Sequence, residues 1–313
     1  MAIENFDRYI LRFPELDRQN DFTSFWQKAT GELKGVPIEP VLKKNGRKSG
    51  SGFNCFDVSY KSSDRFLLSG ELYLPHGNDR KKVIILIHDY NTEPAYDPRL
   101  FDDRSAYFIM KLRGHESLPK NDEDIPQTPG YMVERILDRD SYYVKGLYLD
   151  TLRAIEMLRL LKNLDCSSIG MMGKGLGAAC CVFAAAYSDR VKAMVLDAPS
   201  FCELPVSQNM VSSDITTEIN EFIAASRTKK KLIKTNLTYF DALNFSDLVK
   251  IPVLTVTGIK DRISPAECIF GLFNRLMCEK TIEVYPEDGH DAGGKKQFEK
   301  SIHWLTTIIN TPE

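Results

Sequence analysis

The stretch Ile169-Gly170-Met171-Met172-Gly173-Lys174-Gly175-Leu176-Gly177-Ala178 constrains this chain more than any other. An apolar run, three alternating glycines and a series of small apolar residues to about Tyr187 read as a buried strand, a tight turn and a helix. In that layout a strained turn lifts one side chain above a sheet, and the pattern is Gly-x-Ser-x-Gly. Gly173 and Gly177 hold the outer positions, and Gly175 stands where the serine belongs. The bland readings are a packing turn or an anion cradle at a helix N-terminus. The spacing lacks the third-glycine offset of a dinucleotide fingerprint, and no Gly-Lys-Ser/Thr sequence is present.

The rest of the chain supplies the context. Val83–Ile87, Ala106–Leu112, residues 168–172, Val191–Leu196, Val253–Thr257 and Thr281–Tyr285 are apolar runs of strand length. Continuous runs such as Val83–Ile87 suit strands covered on both faces of a parallel sheet. Several end in polar groups: His88-Asp89-Tyr90-Asn91, Arg113-Gly114-His115, Asp197-Ala198-Pro199-Ser200, Gly258-Ile259-Lys260-Asp261 and Gly289-His290-Asp291. Helical spacing predicts a helix at 19–33, capped by Asp21, another over 143–161, and a closing one through Phe298, Ile302, Leu305 and Ile308. Phe53–Tyr60 and Phe66–Leu74 partly alternate, as antiparallel edge strands with one wet face do. The expectation is a single α/β domain over 1–313, with a doubly wound, mostly parallel sheet. Residues 1–80 form an N-terminal helix and antiparallel edge extension, 114–141 a surface or interface loop, and 205–245 a lid-like helical excursion.

Charge and cysteine usage exclude other classes. A formal net charge of −2 gives no electrostatic reason to expect nucleic acid or an anionic membrane as partner. Met1–Asn5 carries no apolar signal core, and no apolar run is long enough to span a bilayer. Seven cysteines, an odd number without metal-ligand spacing, suit buried thiols in a reducing compartment, so a cytoplasmic location is expected. No cofactor or metal is expected.

The candidate groups occur in the order Gly175, Asp261, His290, which is the chain order of an α/β-hydrolase triad. From about residue 19 to 309 the chain resembles the acetyl xylan esterase/cephalosporin C deacetylase family of α/β-hydrolases. The carriers are Asp21-Phe22-x-x-Phe25-Trp26, His88-x-Tyr90-Asn91, Arg113-Gly114, Arg135-Ile136-Leu137-Asp138 with Tyr142-Tyr143, and Tyr148-Leu149-Asp150-Thr151-Leu152-Arg153-Ala154. Ala198-Pro199-x-x-Cys202-Glu203, Pro252-Val253-Leu254, Gly258-x-x-Asp261, Tyr285-Pro286 and Gly289-His290 complete the series. The resemblance implies a serine esterase that deacetylates small acetylated sugars or the cephalosporin side chain, in a homo-oligomer, typically a hexameric ring. It also implies His290 as general base, Asp261 as its orienting carboxylate, and the N–H groups of Tyr90 and Leu176 as an oxyanion hole.

The departures from the family pattern fall on the chemistry. The family elbow Gly-Gly-Ser-Gln-Gly-Gly is here Gly173-Lys174-Gly175-Leu176-Gly177-Ala178, and the glycine expected before the oxyanion tyrosine is Asp89. A carboxylate pointing inward there would repel a developing oxyanion. Without an oxygen or sulfur nucleophile the covalent route is closed, so a catalytically impaired protein that keeps its pocket for a ligand or partner is expected. The alternative is an active carboxylic-ester hydrolase using a relocated nucleophile or a water activated by His290. Cys180 and Cys181 should point into the core, Ser200 could border the pocket with Asp89 as a substrate-binding residue, and Lys174 should face away. His88 and His115 read as structural or rim residues.

Overall fold

The computed structural model describes residues 6–50, 52–115 and 130–311. The apolar runs become β4 (Lys81–Ile87), β5 (Ser105–Met110), β6 (Leu164–Lys174), β7 (Val191–Asp197), β8 (Val253–Gly258) and β9 (Lys280–Tyr285). Together with β1 (Val41–Lys44), β2 (Phe53–Lys61) and β3 (Leu67–Pro75) they make a nine-stranded sheet in the order β1-β2-β3-β5-β4-β6-β7-β8-β9. β1, β2, β3 and β5 pair antiparallel in succession, and every pairing from β5 through β4 to β9 is parallel. The parallel sheet and its antiparallel extension are therefore as expected. β1 has no counterpart in the sequence reading because all four of its residues are exposed, leaving no buried apolar face to read.

The helices are α1 (Phe6–Ile10), α2 (Phe22–Gly31), α3 (Tyr143–Arg159), α4 (Leu176–Tyr187), α5 (Leu204–Met210), α6 (Asp214–Ala225), α7 (Lys230–Leu237), α8 (Ala266–Arg275) and α9 (Gly294–Asn310). Strand alternation sorts the core into two layers. Val83, Ile85 and Ile87 of β4 share one cluster with α3 and α4, while Ile84 and Leu86 share another with Ile302, Leu305 and Ile309 of α9. Each such buried aliphatic side chain contributes roughly 1.5–3 kcal/mol relative to exposure. A charge at Leu305, which is fully buried, would detach α9 from the sheet.

Two expectations change. Asp21 sits at the N-cap of α2 without a capping hydrogen bond, since its carboxylate is taken by Arg139 at 2.9 Å and by the Tyr239 hydroxyl. β5 ends at Met110 rather than Leu112 because the Leu112 N–H donates to His88 Nε2 at 3.0 Å instead of to a neighbouring strand. Of the expected 114–141 loop, residues 116–129 lie outside the described residues; in the remainder Met132, Val133 and Ile136 are buried, while Glu134, Arg135, Asp138 and Asp140 are exposed.

The excursion at 205–245 is anchored, not free. Trp26 of α2 is fully buried against the rings of Phe183 and Phe245, at centroid distances of 4.6 and 5.6 Å. Its indole N–H donates to the Tyr239 carbonyl at 2.9 Å. One aromatic residue thus ties the N-terminal helix, the elbow helix and the excursion together.

Candidate active site

The elbow forms as the glycines require. Gly175 links β6 to α4 with φ +52° and ψ −116°, a conformation costly for any residue with a Cβ. A Cβ at Gly177 would press on the backbone carbonyls of Ile87 and His88, and one at Gly173 would strike the backbone of Gly177. Glycine at all three positions lets the turn close against the end of β4.

Three side chains meet above this turn. Asp261, in the loop after β8, accepts the N–H groups of Ile263 and Ser264 on Oδ1 at 2.7 and 2.9 Å. Its Oδ2 then meets His290 Nδ1 at 2.9 Å. On the other side of the ring, His290 Nε2 lies 3.0 Å from Asp89 Oδ2. The second Asp89 oxygen, Oδ1, accepts the N–H of Tyr90 at 2.7 Å and the N–H of Leu176 at 2.8 Å. Leu176 is the first residue of α4, so the helix dipole also favours an anion here.

Asp89 thereby takes two places at once. It receives both N–H groups expected to bind a reaction oxyanion, and a Cβ added at Gly175 would fall within its carboxylate. Positions 89 and 175 therefore share one space: a side chain at 175 would have to push the Asp89 carboxylate aside.

This arrangement fixes the state of His290. Burial alone would depress the imidazolium, but the hydrogen bonds to Asp261 and Asp89 overcome that effect and raise its pKa to about 9. At neutral pH the ring is therefore charged, donating one N–H to each carboxylate. His88 is the opposite case: burial and the neighbouring His115 lower it to about 4.

The group forms part of the floor of a cavity of about 990 Å³. Its walls are mixed. Met172, Ile215, Ile263 and Phe298 give apolar surface, and Lys174, Asp197, Asp291 and Asp214 give charge. Lys174 is ion-paired with Asp291, and burial raises Asp197 to about 6 against the opposing pull of Lys174. Ser213 and Asp214 carry the start of α6 to the rim, and the Tyr90 hydroxyl donates to Glu218 of the same helix at 2.9 Å. Among the described residues no group of three His, Cys, Asp or Glu side chains is placed to hold a metal ion.

The sequence candidates divide cleanly. Asp261, His290, Asp89, Gly175 and the Tyr90 and Leu176 N–H groups come together. Ser200 does not join them: it is absent from the cavity lining, its N–H is spent on the Gly175 carbonyl at 3.1 Å, and its hydroxyl is buried. Cys180 and Cys181 are wholly buried, and burial lifts the Cys180 thiol to about 12. Lys174 was expected to face away and instead lines the cavity, drawn there by Asp291 and Asp197. His88 and His115 are structural: each accepts a backbone N–H, from Leu112 and Asn91 respectively. Lys174, Asp197 and Asp291 were missed as cavity groups, although each lies at or beside a strand's carboxyl end, where polar residues gather in such sheets.

The sheet order, the glycine elbow after β6, and the acid and histidine after β8 and β9 define an α/β-hydrolase. Within that class, the acetyl xylan esterase family model matches residues 1–308, and the chain belongs to this family. It is 21% identical to the acetyl esterase Axe7A of Xylanibacter ruminicola, over 93% of this chain and 68% of that protein. Its fold matches an acetyl xylan esterase from Paenibacillus sp. R4 with a TM-score of 0.88 at 23% identity, covering 99% of this chain and 100% of the other. It also matches acetyl xylan esterase 1 from Thermoanaerobacterium sp. JW/SL YS485 with a TM-score of 0.87 at 18% identity and the same coverages. Among the described residues no helix is long and apolar enough to cross a membrane.

Proposed function

We propose that this protein is an acetyl xylan esterase family member that has lost serine-dependent acyl transfer and keeps its cavity for a ligand, a small acetylated carbohydrate or a related molecule. The observation that carries this reading is the Asp89 carboxylate, seated on the Tyr90 and Leu176 N–H groups and on the ground a side chain at 175 would need. Acyl transfer requires a nucleophile and a vacant set of donors for the oxyanion. Gly175 supplies no nucleophile, and Asp89 takes both donors. A water attacking an acetyl ester with His290 as base meets the same obstacle, because Asp89 Oδ2 engages the nitrogen that would take the proton. The ligand class rests on the family and on the mixed walls of the cavity. A reducing compartment is supported by seven unpaired thiols, six of them buried. The homo-oligomer of the family resemblance belongs to the same reading and is checked by light scattering.

The test is hydrolysis of p-nitrophenyl acetate and acetylated xylo-oligosaccharides by four proteins: the parent, Gly175→Ser, Asp89→Gly, and the double variant. Parent and Gly175→Ser are expected at background, since the parent has no side chain at 175 and in Gly175→Ser the new side chain and the Asp89 carboxylate contend for one space beside the donors. The double variant should gain about 10²-fold or more, the scale of one oxyanion-hole donor. Turnover by the parent that disappears in His290→Ala would refute the reading.

A further inference from the structure

The Asp89 carboxylate is held as a reacting group would be held. One oxygen sits on two backbone N–H groups at 2.7 and 2.8 Å, the other faces an imidazole backed by a second carboxylate, and the whole lies on a cavity floor. Asp261 is bonded in the same way but does not line the cavity, whereas Asp89 does. Attack by this carboxylate on an acyl carbon is disfavoured, because the oxyanion created on the substrate would find both donors already taken. Attack on a saturated carbon creates no oxyanion on the substrate. It needs only a carboxylate oxygen with a lone pair to spare, which Oδ2 has beside its one bond to His290, and a leaving group that departs with the negative charge.

We propose that Asp89 is a carboxylate nucleophile that hydrolyses alkyl electrophiles carrying an anionic leaving group, such as alkyl halides or alkyl sulfonates. In the first step Asp89 Oδ2 forms a bond to the saturated carbon, the carbon–leaving-group bond breaks, and the leaving group departs as the anion. The product is an aspartyl alkyl ester. In the second step a water oxygen attacks Asp89 Cγ while His290 Nε2 takes its proton. The oxyanion forms on Oδ1, already within the 2.7–3.1 Å reach that makes such donors effective. Collapse breaks the Cγ–Oδ2 bond, His290 returns the proton to the departing alkoxide, and an alcohol leaves. The net reaction consumes one water and releases the alcohol, the leaving anion and one proton.

Charge regulates the sequence. In the resting site His290 is protonated between two carboxylates. Alkylation removes the charge of Asp89, the ring loses one of the two partners that hold its proton, and it becomes a base only once there is an ester to hydrolyse. The apolar part of the cavity, formed by Leu100, Met172, Ile215, Ile263 and Phe298, suits an alkyl chain. Asp89 is 9% exposed and His290 14%, and both line the cavity.

This inference rests on the reading above only in taking the Tyr90 and Leu176 donors as occupied by Asp89, and its test does not use an acetyl ester. Methyl p-toluenesulfonate and n-hexyl bromide are incubated with the parent, His290→Gln and Asp89→Asn, and intact mass and peptide mapping follow the protein. His290→Gln should accumulate one alkyl group per chain on Asp89, and Asp89→Asn should lose both adduct and alcohol formation. A single turnover of the unsubstituted protein in heavy-oxygen water should place the heavy oxygen in Asp89 and leave the first alcohol light, a result that needs no variant to fold. Adducts confined to other residues, or no heavy oxygen at Asp89, would overturn the proposal. An Asp89 ester that the unsubstituted protein never releases would overturn its hydrolytic step. Acetyl-ester turnover by the parent would count against the loss of acyl transfer and leave the mass result to stand separately.

Discussion

Asp89 and Asp150 are both buried carboxylates with cationic partners, and they do different work. Asp150 of α3 has no exposed side-chain surface; Arg113 meets it with two N–H groups at 2.6 and 2.7 Å, and the Ser62 hydroxyl completes the set. Arg113 also reaches Asp64 at 2.8 Å. The arrangement is a closed strut between α3, the end of β5 and the β2–β3 turn. Burial disfavours the guanidinium charge, and the adjacent Asp150 more than reverses that. Asp89 is just as fully bonded, but its partners are a titratable imidazole and the N–H groups of a helix start, and it borders a cavity. Guanidinium cannot change charge in a protein, whereas imidazole can. The first pair can only hold; the second can react.

The comparison can be broken most forcefully at the strut. Asp150→Ala leaves Arg113 buried without its main partner and should cost about 3–5 kcal/mol in chemical denaturation. A loss below about 1 kcal/mol would mean that the strut is not a closed unit. The variant should leave the titration of His290 unchanged.

A pH series separates the two pairs further. The pKa of His290 is raised in the folded protein from 6.5 to about 9, so its stabilising contribution is complete below about pH 6.5 and is lost as the pH rises through about 9. The amount is roughly 3 kcal/mol at most. Denaturation across pH 6–10, with the imidazole followed by NMR, should show this loss. In Asp89→Asn the loss should shrink, because one of the two carboxylates holding the proton is gone. An unchanged midpoint in that variant would contradict the bond between them.

The smallest expected effect tests the joint nature of the departures at 89 and 175. Gly175→Ala adds a Cβ at positive φ and into the Asp89 carboxylate, and should cost about 1–3 kcal/mol. Combined with Asp89→Gly, the part due to the clash should vanish, leaving only the backbone strain. Additive losses would mean that the two positions do not share space.

Much of the fold was legible because its signals are local. Val83–Ile87 is apolar at every position, so it announces a strand covered on both faces, and the α9 stripe through Ile302 and Leu305 announces one buried helix face. The placement of Asp261 and His290 after successive strands was legible for the same reason: in a parallel sheet every strand presents the same end to the same side. β1 was not, since four exposed residues carry no pattern. Ser200 was misplaced because position after a strand does not fix where a side chain points, and its backbone turned to the Gly175 carbonyl instead.

The sequence by itself determined that a glycine occupies the elbow and that an aspartate precedes Tyr90. It could not determine that these are one feature. That depended on β6 lying beside β4 in the sheet, which brings the end of one strand against the turn of the other, and on the backbone donors of Tyr90 and Leu176 converging on one point. Chain patterns report periodicity along an element. Whether a carboxylate repels an oxyanion from outside or takes its place is set by distances between distant segments, and those exist only once the sheet has assembled.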